Sequence, residues 1–368
     1  MTRTVVTGVG VVTPFGRGVG ALWAGLCEGR TALGEPDRFR ADCRRGEPVG
    51  EVPWTVPGVP PKQAYLGAAL AEALSAAGLP GVPPDALFVM VGQAPASGRG
   101  DDDLADFLGP PVPPDLDART VYLTHACASG AFGLAFARRA ILAGLVDTAV
   151  VAGGTALNRY EYVSMSAVRA VSATKARPLD RSRTGISLGE GGGAVVLERE
   201  DHARARGAAA DLAVAGASCR VGSGNAAASD AAVIEDCVRA ALADAGAERL
   251  DYVHAHATGT PQGDREELAA LDAVATALGL ADLPVDSHKG ATGHLLHVSC
   301  LVAVAATAVA LRTGTASGTP NLTDPEPSAR LRLSGVPTPL PADVPTTAAV
   351  TSFGFGGNNA TLVLTRDP

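Results

Sequence analysis

Two periodicities alternate along the chain. Short runs rich in Val, Thr and aliphatic residues predict strands at TRTVVTGVGVV (2–12), ALFVMVGQ (86–93), TVYLTH (120–125), DTAVVAGG (147–154), GGGAVVLE (191–198), DYVHAHA (251–257), LPVDSH (283–288) and ATLVLTR (360–366). Longer Ala/Leu-rich stretches with helical spacing predict helices over 64–78, 130–144, 231–246, 265–279 and 295–312. Strands and helices in alternation are the pattern of an α/β fold. Pro-rich stretches at 53–61, 80–84, 110–114 and 337–345 read as surface connections.

The pattern also repeats. TVYLTH runs through a small-residue turn into a helix, and LPVDSHKGATGH does the same before LLHVSCLVAVAA. Each half then closes on a glycine-rich loop and a strand, GISLGEGGGAVVLE in one and TSFGFGGNNATLVL in the other. The expectation is an internal duplication, with halves at residues 1–208 and 209–368.

Composition narrows the function classes. With 368 residues, 46% of them apolar, the chain can bury a large core. A net charge of −8 without a basic tract argues against nucleic acid as a partner. The longest apolar run, 301–311, is shorter than the roughly 20 residues of a membrane span, so no membrane association is expected. Six cysteines (Cys27, Cys43, Cys127, Cys219, Cys237, Cys300) lie scattered without a CxxC pair. That is a reduced pattern, and with no cleavable leader at the N-terminus it predicts a cytoplasmic protein.

The candidate chemistry gathers in loops after strands. THACASG (124–130) places Cys127 at a strand-to-helix turn. A cysteine there packs as a small hydrophobe in many proteins. At a helix N-terminus, however, its thiolate gains from backbone N–H groups and the helix dipole, which predicts a lowered pKa. VHAHATGT (253–260) carries His254 and His256 at strand spacing, on opposite faces. GHLLH (293–297) puts His294 and His297 three apart, where a helix would give them a common face. No carboxylate stands at a familiar metal-ligand spacing, so no metal is expected. Lys289, one of only three lysines, sits in a glycine turn five residues before His294. GEGGGA (189–194) resembles a dinucleotide fingerprint, but a strand follows it where a helix is required. A thiol, two histidines from separate loops and glycine loops that admit backbone N–H groups together suit acyl transfer through a thioester.

At this point the sequence resembles a known family. THACASG, RPLDRSRTGISLGEGGGAVVLE, VHAHATGTPQGD, KGATGH and SFGFGGNNA, in this order, are similar to motifs of the β-ketoacyl synthases. The likeness covers nearly the whole chain and is to the branch that elongates acyl chains with a Cys-His-His triad. It implies a thiolase-like five-layered αβαβα fold of two duplicated halves. It implies Cys127 as acyl acceptor, and His256 and His294 as the pair that binds the malonyl-type extender and stabilises its enolate. By the same resemblance the backbone N–H groups of Cys127 and Phe355 form the oxyanion hole, and Phe355 gates the acyl pocket. Lys289 and Glu267 would be a supporting ion pair, while Asp180, Arg183 and Glu190 would be structural. Acyl carrier protein bearing phosphopantetheine is the implied partner, docked on Arg204 and Arg206 or on RFRADCRR (38–45). No cofactor is implied. A homodimer is expected, or a heterodimer with a related chain.

Several positions depart from the family pattern. The segment between VGQAPASG and Cys127 is short, and 219–232 replaces a longer loop. Ala257 stands for Gly and Asn358 for Thr, while His297, Val298 and Cys300 are bulkier than the usual residues after the second histidine. The triad is intact and points to decarboxylative condensation in polyketide or specialised fatty-acid synthesis. Two other roles stay open: acyl transfer from Cys127 to a non-malonyl acceptor, and a non-condensing chain-length partner in a heterodimer.

Overall fold

The computed structural model describes residues 3–92, 120–222, 224, 228–341 and 344–367. Most of the short segment before Cys127, the Pro-rich stretch 110–114 and part of the 219–232 loop lie outside the described residues.

The first strand, β1 (Thr4–Thr13), is buried along its whole length, which explains an apolar run without alternation. Helix α1 (Val19–Cys27) follows, then α2 (Pro61–Ala76), which starts on a proline whose missing N–H costs nothing there. α2 lies on β1 so closely that a Cβ at Gly8 or Gly10 would fall 2.0 Å from the Ala73 carbonyl oxygen or 2.1 Å from that of Ala69. The chain continues through β2 (Leu87–Val91), β3 (Thr120–Leu123), α3 (Ser129–Leu142), β4 (Thr148–Thr155), α4 (Arg159–Ala167) and β5 (Gly191–Arg199). β6 (Leu212–Val221) opens a second series: α5 (Ala231–Ala245), β7 (Tyr252–His254), α6 (Pro261–Ala277), β8 (Leu283–Asp286), α7 (Ser299–Thr313), β9 (Leu331–Leu333), β10 (Thr346–Gly354) and β11 (Asn358–Arg366).

Strand pairing displays the duplication. From the centre outward the first half runs β1-β5-β4-β2-β3 and the second β6-β11-β10-β7-β8, with β9 added at the edge. In both, the two inner pairings are antiparallel and the outer ones parallel. The halves meet at β1 and β6 through the single register pair Val5–Ala213. α3 and α7 occupy corresponding places and lie between the halves, each touching strands of both. α2 covers the outer face of one sheet, and α5 with α6 covers the other, which gives the αβαβα layers of a thiolase-like fold.

α7 explains the longest apolar run. Leu296–Thr313 is long and apolar enough to cross a membrane by length and composition, yet it is largely buried in the central layer. Val302, Val304 and Ala305 face the same core as Leu134 and Ile141 of α3. An all-round apolar helix is what a central layer requires.

Some boundaries differ from the sequence expectation. α7 begins at Ser299, not Leu295, because Leu296 takes a left-handed φ of 47° and Leu296–Val298 forms a 3-10 turn. TSFG is the end of β10 and not a loop; the turn is confined to Phe355–Gly357. β6, β9 and most of β10 lack the aliphatic runs that marked the other strands.

Asp180 pins the loop between α4 and β5. One carboxylate oxygen accepts from Ser182 N (2.8 Å) and Ser182 Oγ (2.6 Å), the other from Thr323 N (2.8 Å), Thr323 Oγ1 (3.1 Å) and Asp324 N (2.9 Å). Burial raises its pKa, but the hydrogen bonds from Ser182, Asp324 and Thr323 together outweigh burial and hold it well below the usual carboxylate range. The stabilisation is therefore complete above the unfolded pKa of about 4 and is lost as pH falls towards the folded value. Asp180→Ala is expected to lower stability by about 3 kcal/mol at neutral pH. The gap between wild type and variant should narrow in urea melts below about pH 4; a gap independent of pH would contradict this.

Candidate active site

Cys127 stands in the turn between β3 and α3. Ala126 before it adopts a left-handed φ of 49°, uncommon for a residue with a Cβ. Ser129 holds the turn, its Oγ accepting from His125 N (2.8 Å) and donating to Ala126 O (2.6 Å). The end of β10 presses against it: a Cβ on Gly354 would lie 2.9 Å from both Cys127 N and His125 O. Cys127 is 9% exposed and lines a cavity of about 350 Å³ together with His256, His294, Gly354 and Phe355.

The expected lowering of the Cys127 pKa is not what the structure gives. Burial pushes the thiol up to about 12, and the nearby Lys289 charge only partly opposes it. Cys127 lies one residue before the N-cap of α3, and there the dipole acts in a site too dry for it to prevail.

His256 follows β7. Its backbone is gripped from both sides: its N–H donates to Glu267 Oε1 and Thr351 Oγ1, each at 2.9 Å, and its carbonyl accepts from Lys289 Nζ. Glu267, on α6, also accepts from Ala257 N (2.7 Å) and Thr351 Oγ1 (2.5 Å). Glu267 and Lys289 thus do not form the expected direct ion pair; the His256 peptide lies between them. Burial lowers Lys289 to about 8, with the Glu267 charge opposing, and raises Glu267 to about 7.

His294 lies between the short helix Lys289–Thr292 and the 3-10 turn. Its Nδ1 is 2.9 Å from Ser299 Oγ, which accepts from Leu295 N (2.8 Å). With that lone pair engaged, the hydroxyl proton is free to point at Nδ1, which leaves the ring proton on Nε2. The His256 and His294 rings stand edge to face with centroids 5.4 Å apart. Burial first, then the Lys289 charge, keeps both imidazoles neutral well below the usual histidine pKa.

The other histidines part from this pair. His254 faces away from the cavity, as strand spacing predicts. His297 does not share a face with His294, since the interrupted helix sends its Nε2 to the Gly154 carbonyl (3.0 Å). Among the described residues no group of three or more His, Cys, Asp or Glu side chains is arranged to hold a metal ion.

Phe355, 38% exposed, stands at the cavity wall. Its carbonyl accepts from Asn358 Nδ2 (2.7 Å), and Asn358 Oδ1 lies 3.1 Å from His125 Nδ1. Asn358 thereby couples the Phe355 turn to the Cys127 turn, a link no sequence pattern announced. Ser299 and Thr351 were likewise missed, being ordinary helix and strand residues by type.

The docking arginines divide. Arg206 donates to the fully buried Glu198 at 2.8 Å, so part of its guanidinium is engaged within the fold. Arg204 is exposed and pairs with Glu200. In RFRADCRR, Arg38 pairs with Glu190 and Arg44 with Glu35.

Residues 114–203 match the family model for the β-ketoacyl synthase N-terminal domain, and residues 210–323 the model for its C-terminal domain. The chain is 31% identical to 3-oxoacyl-[acyl-carrier-protein] synthase 2 of Rhizobium meliloti, covering 100% of this chain and 99% of that protein. It is 30% identical to the tetracenomycin polyketide synthase ketoacyl synthase alpha subunit of Streptomyces glaucescens, covering 99% and 97%. Its structure superposes on the ishigamide ketosynthase/chain length factor with a TM-score of 0.84 at 28% identity, over the full length of both chains.

Proposed function

The chain belongs to the β-ketoacyl synthase family, and from that premise we propose that it condenses an acyl group held on Cys127 with a malonyl-type thioester carried by acyl carrier protein. The observation that supports this most directly is the convergence of Cys127, His256 and His294 on one cavity from three separate loops.

In the first half-reaction Cys127 Sγ attacks the acyl thioester, and the carbonyl oxygen takes negative charge beside the backbone N–H groups of Cys127 and Phe355. The pantetheine thiolate leaves. In the second, Nε2–H of His294 and the His256 imidazole donate to the extender's thioester carbonyl. The bond to the carboxylate carbon breaks, CO2 leaves, and the enolate carbon attacks the acyl-Cys127 carbonyl. Neutral imidazoles suit this task, because they donate hydrogen bonds without handing over a proton. Glu267 and Lys289 act by positioning the His256 backbone. This chemistry needs no cofactor. The partner is an acidic carrier protein, for which Arg204 and Arg206, or Arg40 and Arg45 on the exposed 38–45 stretch, are the candidate contacts.

Residues 1–208 bring the nucleophile and 209–368 the histidines. The central layer positions both, through the start of α3 and the turn before α7. The protein acts in the cytoplasm as a homodimer or beside a related chain. Wild-type protein given acyl and malonyl carrier thioesters should release CO2 and yield a carrier-bound β-ketoacyl product. CO2-free consumption of the acyl donor would favour transfer to another acceptor. Gly354→Ala, which pushes the Cys127 turn away from the end of β10, is expected to slow acyl loading by about 10²-fold, as loss of one oxyanion donor does. Loading at the wild-type rate would remove β10 from the account.

A further inference from the structure

The loop that carries His294 is tied to the first half of the chain, and one tie comes from a histidine that condensation as described leaves unused. The β1–β6 register pair between the halves, Val5–Ala213, lies level with Glu198 and Thr148. Gly154, at the cavity end of β4, stands six residues further along, about 20 Å away. At that end, loop contacts align the halves. His294 N donates to Ser187 O (2.7 Å), and His294 O accepts from Gly189 N (3.0 Å). His297 adds a side-chain tie, its Nε2 donating to Gly154 O (3.0 Å).

His297 is the middle residue of the Leu296–Val298 turn, and the turn begins on a strained backbone, with Leu296 at a left-handed φ of 47°. The turn rests on two elements of the first half. A Cβ on Gly130, in the first turn of α3, would lie 3.3 Å from the His297 carbonyl oxygen, and one on Gly153 of β4 would lie 3.5 Å from Val298 Cγ2. The turn leads directly into Ser299, whose Oγ is 2.9 Å from His294 Nδ1. The place of Ser299 therefore decides which His294 nitrogen carries the proton.

Stability does not account for an imidazole at this position. A carbonyl only accepts, so Nε2 holds the ring proton and Nδ1 is a bare lone pair. That nitrogen is buried and has no partner among the described residues. Leaving it unpaired costs as much as one neutral hydrogen bond returns. Burial, and then the Lys62 charge, lower the His297 pKa to about 3, so the ring stays a neutral donor.

We infer that His297 is a positioning residue for condensation: by anchoring the Leu296–Val298 turn to the Gly154 carbonyl it fixes Ser299 against His294 Nδ1, and so keeps the His294 proton on Nε2. Without the anchor the left-handed Leu296 can relax, and Ser299 moves with the turn. His297 itself touches no substrate.

This role rests on the condensation reading, so it is tested by rate and by ring tautomer together. His297→Leu keeps the approximate volume and loses the donor. Its condensation from preloaded acyl enzyme should be about 10- to 10²-fold slower, with acyl loading of Cys127 close to the wild-type rate. His297→Gln, whose amide nitrogen takes the place of Nε2, should recover to within about threefold of wild type. Added to His294→Ala, His297→Leu should cost nothing further. In protein carrying ¹⁵N-labelled histidine, the ring signal that vanishes in His294→Ala identifies His294. It should report one Nε2–H tautomer in wild type and His297→Gln, and a mixture in His297→Leu. His297→Asn, whose amide lies at the Nδ1 position, should match His297→Leu and replaces it if that variant does not fold. Equal slowing of loading and condensation, or the same His294 tautomer in every variant, would overturn the role. A wild type that forms no β-ketoacyl product would refute condensation, and the tautomer comparison alone would then uphold or overturn the positioning.

Discussion

Cys127→Ala is expected to take up no acyl group from any carrier-protein thioester, and condensation should fall by roughly 10⁴- to 10⁶-fold. The change removes one sulfur atom from the wall of an open cavity, so the cost in stability should be about 1 kcal/mol. The fold will therefore be present to be assayed. The variant keeps His256, whose backbone anchors lie on β10, α6 and the Lys289 turn, and His294, whose backbone pairs with Ser187 and Gly189. It should accordingly still decarboxylate a malonyl thioester slowly. Loss of loading with retained decarboxylation separates the two half-reactions onto the two halves of the chain. Wild-type loading in this variant, seen as an acyl mass adduct, would place the nucleophile elsewhere.

His256→Ala and His294→Ala carry the second large effect. Each removes one donor to the enolate oxygen and should slow condensation by about 10²- to 10³-fold while leaving an acyl adduct on Cys127. The double variant should lose less than the product of the two, since both donors serve one oxygen. The pH dependence follows from the direction of their shifts. Burial, and then the Lys289 charge, hold both pKa values well below the usual histidine range. Both rings therefore stay neutral as pH falls through about 6.5, and their protonation gives condensation no acid limb there. Condensation measured from preloaded acyl enzyme would show this. An acid limb centred near 6.5 that disappears in His294→Ala would mean that an ordinary, exposed imidazole carries the step.

Much of this site was legible because its residues stand out by type at turns. Cys127 between small residues, the alternation His254–Ala255–His256 and a glycine turn holding a scarce lysine all mark places where a strand ends and chemistry can begin. The duplication was visible for the same reason, as β3 with α3 and β8 with α7 repeat one plan. Other features had no such mark. β6 and β10 are rich in Ala, Gly and Thr, because helices press close on both sheets and leave room for little else. The break at Leu296 is a left-handed backbone position that residue type does not announce, and that break sends His297 away from His294. The separation of Lys289 from Glu267 by the His256 peptide is a tertiary fact that spacing does not encode. The Cys127 pKa departs from its expected direction because the dipole can be read from sequence, whereas the depth of burial cannot.

Wild-type enzyme is loaded with an acyl group, freed of donor, mixed with malonyl acyl carrier protein, and followed by intact mass of both proteins. The adduct on Cys127 is expected to disappear as the carrier gains that acyl mass and loses CO2, one for one. An adduct that persists while malonyl carrier is present, or that leaves by hydrolysis with the carrier unchanged, would contradict condensation at this site.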